Sequence, residues 1–277
     1  MIKVCLVGLG KAGKEVAKVL MEQRDIKLVA AVCSPGSWKV GKDLGEIIGC
    51  AKTGIKVHSS DNLEEMMFKA RPDVVVDFSN PDATMKNAVI FSKMKAGIVI
   101  ATTGFSDEDL DKLYKLTQKY HNGIVYAPNI TLGVNVLMLL ANIASNILNN
   151  YDFQITEMHH KRKKDAPSGT ALKIANEIKR GLIASGSASR DTVIPITAIR
   201  AGGVVGKHKV LIIGEEDRIE ISHESFSRRI FGEGALYAVR FVYKKSGFFE
   251  MKDVLNINET LKNCLALGSE GSPAANC

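Results

Sequence analysis

The stretch Ile2-Lys3-Val4-Cys5-Leu6-Val7-Gly8-Leu9-Gly10-Lys11-Ala12-Gly13 decides the fold. Its first six residues read as a short, buried strand of the parallel kind, and Val16, Ala17, Val19 and Leu20 follow at helical spacing. The order is strand, G-x-G-x-x-G, helix, which predicts the opening turn of a Rossmann-type doubly wound sheet. Gly8 permits the tight turn, Gly10 clears space for a pyrophosphate, and Gly13 lets the helix pack closely on the strand. Lys11 and Ala12 complete a loop suited to a dinucleotide, with Lys11 adding a cation. The bare pattern also fits an ordinary βα turn; its place behind the N-terminal strand favours the cofactor reading.

Outward from that turn the βα alternation continues. A second strand, Ile26 to Val32, runs into Cys33-Ser34-Pro35-Gly36-Ser37-Trp38-Lys39. An NAD site places an acid near this strand end for the ribose hydroxyls, and no acid lies between Asp25 and Asp43. Ser34, Ser37, Lys39 and Lys42 stand there instead, offering hydroxyl and ammonium donors to a 2′-phosphate, so NADPH is expected ahead of NADH. A helix from Asp61 to Lys69, a strand through Val74-Val75-Val76-Asp77, a helix from Met85 to Met94, a strand from Gly97 to Ala101, a helix from Asp107 to Tyr120 and a strand at Ile124 to Tyr126 follow. Ligands of open α/β sheets sit beyond the carboxyl ends of the strands. Phe78 and Ser79, Ala101, Thr102, Thr103 and Gly104, and Ala127, Pro128, Asn129 and Ile130 are therefore expected to line one cofactor crevice.

From Thr131 to Leu148 a long helix carries the chain away, and the pattern then turns strand-rich: Phe153 to Glu157, Val193 to Ile199, His208 to Ile213 and Arg218 to His223. This predicts a smaller α+β domain with a mixed sheet at 131–239, and a dinucleotide-binding domain of 1–130 with 240–277. Phe231 to Val242 reads as helix, and Gly268 to Cys277 as a disordered tail.

Within the second domain runs Glu157-Met158-His159-His160-Lys161-Arg162-Lys163-Lys164-Asp165-Ala166-Pro167-Ser168-Gly169-Thr170-Ala171-Leu172. Ala171, Leu172, Ile174, Ala175 and Ile178 continue it as an amphipathic helix, so a helix N-terminus faces a cluster of cations. The first N–H groups of a helix are unpaired and carry partial positive charge, which suits a carboxylate. Ser168 and Thr170 add hydroxyl donors and Gly169 permits close approach. An imidazole donates a proton near neutral pH, so one of His159 and His160 is expected to reach the ligand while the other orients it. A solvated basic loop is the plain alternative. Arg228 is a candidate for a second carboxylate contact, whereas His208 and His223 are expected to be ordinary sheet residues.

Composition narrows the classes. A hydrophobic content of 45% over 277 residues suits a folded core. Five cysteines, odd in number and without a Cys-x-x-Cys pair, predict free thiols and no metal site. The longest apolar stretch, Gly133 to Leu148, is interrupted by Asn135, Asn142, Ser145 and Asn146, so no membrane span is expected. Met1-Ile2-Lys3-Val4 shows no signal-peptide pattern, and a cytoplasmic location is expected. The net charge of +7 would suit nucleic acid, but aromatic content is only 6% and no nucleic-acid motif is present; anionic small molecules explain the charge.

These pieces resemble the 4-hydroxy-tetrahydrodipicolinate (dihydrodipicolinate) reductase family over nearly the whole chain to about Val254. The most specific element is Glu157-x-His159-His160-x-x-Lys163-x-Asp165-Ala166-Pro167-Ser168-Gly169-Thr170-Ala171, supported by Asp77-Phe78-Ser79, Thr102-Thr103-Gly104-Phe105, Ala127-Pro128-Asn129, Arg200-Ala201-Gly202 and Ser227-Arg228. The resemblance implies reduction of a small cyclic dicarboxylate with loss of water, using NADH or NADPH, in lysine and diaminopimelate biosynthesis. It implies His159 as proton donor, Lys163 as the assisting cation, His160, Gly169 and Thr170 as carboxylate contacts, and a homotetramer. Two departures bear on the cofactor: the glycine loop lacks one residue and an Arg-Met pair, and Cys33 replaces the acid common after the second strand. The competing readings are another two-domain dehydrogenase of amino or imino acids, and a nucleotide-dependent sensor without turnover.

Overall fold

The computed structural model of the chain describes residues 1–269. Of the tail expected to be disordered, Gly268 and Ser269 close the last helix, and residues 270–277 lie outside the described residues. The chain divides into two compact units, Met1–Ile130 with the residues from Phe231 onward, and Thr131–Ile230.

Unit 1 carries strands β1 (Ile2–Val7), β2 (Ile26–Cys33), β3 (Val57–Ser59), β4 (Val74–Asp77), β5 (Gly97–Ile100), β6 (Gly123–Tyr126) and, after unit 2, β11 (Gly247–Glu250). They form one parallel sheet in the order β11-β6-β5-β4-β1-β2-β3. Helices α1 (Lys11–Met21), α2 (Leu44–Ile48), α3 (Leu63–Ala70), α4 (Pro81–Lys93) and α5 (Asp107–Tyr120) connect the strands. Val74, Val75 and Val76 are fully buried, as a parallel strand covered on both faces requires. Each buried aliphatic of this kind contributes about 1.5–3 kcal/mol. Helix starts follow local chemistry: the Asn80 side chain accepts from Ala83 N–H at 3.0 Å ahead of α4, and Ser106 with Asp109 closes a capping box on α5.

Short elements that the sequence does not predict include α2, β3 and β11. The return to unit 1 also comes at Phe231 and not at residue 240, because helix α8 (Arg229–Val242) already belongs to unit 1 from that point. Its packing explains the shift: a Cβ on Gly232 would lie 2.6 Å from Val19 Cβ, and one on Gly234 would lie 1.9 Å from the Ile130 carbonyl oxygen. The chain therefore re-enters unit 1 beside the point where it left. Helices α9 (Met251–Val254) and α10 (Ile257–Ser269) follow β11.

Unit 2 is built on strands β7 (Asp152–His159), β8 (Ile196–Arg200), β9 (Gly206–Ile213) and β10 (Arg218–Ser225), in the order β10-β9-β7-β8. The sheet is mixed, since β7 runs parallel to β8 and antiparallel to β9. Helices α6 (Leu132–Ile147) and α7 (Gly169–Ala184) enclose a core of Leu137, Ala141, Phe153, Ile155, Ile174, Ile178, Val210 and Ile212. Among the described residues no helix is long and apolar enough to cross a membrane, and no group of three or more His, Cys, Asp or Glu could hold a metal.

Candidate active site

Strand β7 carries the site. Its inward residues, at period two, are Phe153, Ile155, Glu157 and His159, so an apolar face passes into a carboxylate and an imidazole over two steps. Register supplies the neighbours: Glu157 pairs with His208 on β9, and His159 pairs with Arg200 on β8. Four polar side chains thus meet at one end of a hydrophobic sheet.

Glu157 is fully buried and fully satisfied. It accepts from Arg200 Nη2 at 2.6 Å and Nη1 at 2.8 Å, from Ser168 N–H at 3.1 Å, and bonds His159 Nδ1 at 2.5 Å. Burial works to raise its pKa, but the bonds from Arg200, His159 and Ser168 outweigh burial and hold the carboxyl below the ordinary glutamate range. The carboxylate is therefore ionised and fixes the proton on Nδ1 of His159, leaving Nε2 for chemistry. A Cβ on Gly206 would lie 3.1 Å from that Nε2, so the glycine keeps the space beside it open. Burial, chiefly, and the charges of Lys163 and Arg200 lower the His159 pKa against the pull of Glu157.

The sequence predicts that one of His159 and His160 takes the orienting task. The structure assigns it to Glu157, a correction with a simple cause: adjacent residues of an extended segment face opposite ways, and only i and i+2 share a side. His160 is half-buried with Nδ1 unpartnered, and its carbonyl oxygen accepts from Lys163 N–H at 3.0 Å. Lys163 Nζ is ion-paired to Asp165 at 2.8 Å, and Arg200 Nη2 reaches the Asp165 carbonyl oxygen at 2.6 Å, tying the cationic loop to Glu157. Lys161, Arg162 and Lys164 are exposed.

Ser168 also needs correcting. The sequence predicts a ligand donor there, yet the residue is only 1% exposed. Its hydroxyl caps α7 by accepting from Ala171 N–H at 3.2 Å and meets His208 Nε2 at 3.2 Å. His208, expected to be an ordinary sheet residue, packs edge-on against His159 with ring centroids 5.2 Å apart. Burial, with a smaller push from His159, lowers its pKa to about 4, so it is a neutral wall for the imidazole beside it. Gly169 and Thr170 form the first turn of α7; Gly169 is exposed, and a Cβ there would meet nothing within 4 Å. Arg228 lies between β10 and α8 and makes none of the cluster's hydrogen bonds.

In unit 1 the glycine turn has the geometry a dinucleotide needs. Gly8 has φ of +90°, and a Cβ there would lie 2.5 Å from the Phe78 carbonyl oxygen; one on Gly13 would lie 1.8 Å from that of Gly8. Outside Gly10, by contrast, a Cβ would meet nothing within 4 Å, and α1 begins there with no side-chain cap. A closed turn with an open, uncapped helix start fits a pyrophosphate on the backbone, with Lys11 and Ala12 in the first turn. Lys39 Nζ donates to the Leu9 carbonyl oxygen at 2.7 Å, folding the segment after β2 over this turn; Ser34 is exposed. At the ends of β4 and β5 two hydroxyls turn inward: Ser79 Oγ bonds Asp77 Oδ1 at 2.5 Å and meets Thr84 Oγ1 at 3.3 Å, which bonds Thr102 Oγ1 at 3.5 Å. Ser79 and Thr102 thus brace the crevice from below. Phe78, Ala101, Thr103, Gly104, Ala127, Pro128, Asn129 and Ile130 lie at or just beyond the carboxyl ends of the same parallel strands.

A paired substitution separates the two glycine roles. Gly8→Ala should cost about 2 kcal/mol or more, through positive φ and a backbone clash, whereas Gly10→Ala should leave stability nearly unchanged and raise the cofactor KM. Urea denaturation and steady-state kinetics check this, and equal stability losses would contradict it.

Two family models cover the chain, the dihydrodipicolinate reductase N-terminus over residues 2–130 and the C-terminus over residues 133–255. The chain belongs to the dihydrodipicolinate reductase family. A 4-hydroxy-tetrahydrodipicolinate reductase of Methanocaldococcus jannaschii is 38% identical over 272 residues, covering 94% of this chain and 99% of that one. One of Methanopyrus kandleri is also 38% identical, over 268 residues, covering 92% and 97%. A dipicolinate-bound dihydrodipicolinate reductase from Paenisporosarcina sp. superposes with a TM-score of 0.75 at 28% identity, covering 90% and 97%. Dihydrodipicolinate reductases are nicotinamide-dependent oxidoreductases, which excludes the two competing readings.

Proposed function

We propose that the protein reduces 4-hydroxy-tetrahydrodipicolinate to tetrahydrodipicolinate with loss of water, in lysine and diaminopimelate biosynthesis, with His159 as general acid. The observation that supports this most directly is the buried Glu157–His159 pair, with Nδ1 of the imidazole 2.5 Å from an ionised carboxylate and Nε2 beside the gap at Gly206. The ring hydroxyl leaves as water with a proton from the adjacent ring carbon, which gives a conjugated imine, and the nicotinamide cofactor, when bound, would supply hydride to the carbon that bore the hydroxyl. His159 gives its Nε2 proton to the conjugated neighbour where negative charge develops, and Lys163 stabilises that charge. His160 and the Gly169–Thr170 turn of α7 take the substrate carboxylates, where the helix dipole and backbone N–H groups favour an anion. Following NADPH loss with freshly made substrate tests the activity directly; absence of turnover would refute it.

NADPH is the favoured donor. Ser34 and Lys39 offer a hydroxyl and a cation after β2, where Cys33 stands instead of an acid. Lys39→Ala should raise the KM for NADPH by about tenfold, the effect of roughly one charge-assisted bond, and leave that for NADH within about twofold. A rise shared by both cofactors would mean that Lys39 only braces the glycine turn through Leu9. A homotetramer is the assembly proposed, supported by the half-buried Met158, Ile199 and Leu211 on the face of the unit 2 sheet away from its core, and light scattering checks it.

A further inference from the structure

Unit 1 has a concave site at the amino ends of its strands, the opposite end of the sheet from the glycine turn. It lies where the chain enters β4, β5, β6 and β11, and it has a volume of about 570 Å³. Among the described residues five non-glycine positions have left-handed backbone: Arg71 (φ 43°), Lys95 (55°), His121 (55°), Lys244 (61°) and Asn256 (50°). The first four, all of basic type, line this one cleft at the ends of α3, α4, α5 and α8.

Glycine adopts this conformation without steric cost and is the usual residue just past a helix. Four such side chains in its place, three of them permanently charged and all lining one cavity, call for a use of that charge. Offsetting the helix dipole is one use, but these groups are solvent-exposed, where that effect is weak. None is ion-paired among the described residues. Arg71 lies over the Phe68 ring at 5.5 Å and Lys244 over Tyr243 at 5.1 Å, so the aromatic wall holds two of the cations in place. Lys245 also lines the cleft, with its ammonium stacked on the Phe241 ring at 3.5 Å, and the one acid in the lining, Asp73, already accepts from Lys3 N–H at 2.8 Å.

We infer that this cleft binds a small polyphosphate, the class of anion whose several adjacent charges match the permanent cations Arg71, Lys95 and Lys244 around one cavity, with Phe68 and Tyr243 available to a nucleoside if one is attached. The test is isothermal titration calorimetry of the full chain with sodium tripolyphosphate and with ATP, at low ionic strength and with NADP⁺ saturating the glycine turn. The wild type should bind at one site. Affinity should fall tenfold or more in Arg71→Gly/Lys95→Gly/Lys244→Gly, a variant that relieves backbone strain and should keep its Tm and its reductase turnover. Lys245→Ala, free of any backbone effect, should weaken binding several-fold and guards against a folding defect in the triple variant. ATP binding tenfold tighter than tripolyphosphate assigns the site to a nucleotide; equal affinities assign it to the phosphate chain alone. Undetectable binding, or binding that both variants leave unchanged, overturns the inference and makes the four residues helix caps.

Discussion

His159→Gln is expected to lower kcat by about 100-fold or more, the usual cost of removing a general acid, while leaving the cofactor Kd unchanged. The pH dependence should carry the same signature. In the free protein burial and the neighbouring cations hold the His159 pKa below its ordinary value, so kcat/KM should fall with rising pH from an apparent pKa below about 6.5. A dicarboxylate bound beside the imidazole adds negative charge, which favours the protonated ring. The corresponding pKa in kcat should therefore lie higher than in kcat/KM, and both limbs should vanish in the glutamine variant. Retention of the wild-type kcat and of both limbs would remove His159 from the proton transfer.

Glu157→Gln should act on stability and on chemistry together. The substitution leaves Arg200, with a side chain 17% exposed, without its counter-charge. Breaking one partner of a buried pair costs about 3–5 kcal/mol, measurable by urea denaturation. The wild-type contribution has a defined pH range: the folded pKa of Glu157 lies below the unfolded value, so the stabilisation is complete above about pH 4.3 and is lost as pH falls through the folded value. The variant should lack that acid limb. Without the carboxylate at Nδ1 the His159 pKa should drop further, moving the kcat/KM profile to lower pH. A stability loss with an unmoved profile would show that Glu157 supports the fold without orienting the acid.

Much of this architecture is legible in the sequence because its signals are local. The strand, glycine turn and helix at Ile2 to Leu20 and the helix from Asp107 to Tyr120 each show within a few residues, and both match the structure, whereas α4 begins at Pro81, four residues ahead of the expected Met85, because the Asn80 cap and Pro81 start it before its apolar periodicity does. β3 and β11 escaped because they are edge strands of only three and four residues, too short for a periodicity. The site was legible as a segment but not as an arrangement. Glu157 shares period two with Phe153, Ile155 and His159, which is the signal that it points inward; a carboxylate on a strand ordinarily reads as solvent-facing, and that prior hid it. Its partner Arg200 comes from another strand, and His208 enters only through the β7–β9 register, which no local pattern reveals. Ser168 was misread for the opposite reason: the residue that makes a helix start recognisable spends its hydroxyl on capping that helix.

Unit 2 is threaded into unit 1 between Ile130 and Phe231, two points held side by side by Gly234. During synthesis β6 therefore leaves the ribosome as an unprotected border of its sheet, and it waits for the entire intervening unit before β11 can zip onto it. The nascent protein passes through an interval in which a foreign strand could occupy that border. The sooner the inserted unit buries its own core around β7, the shorter that interval, so packing in one unit bears on the correct assembly of the other.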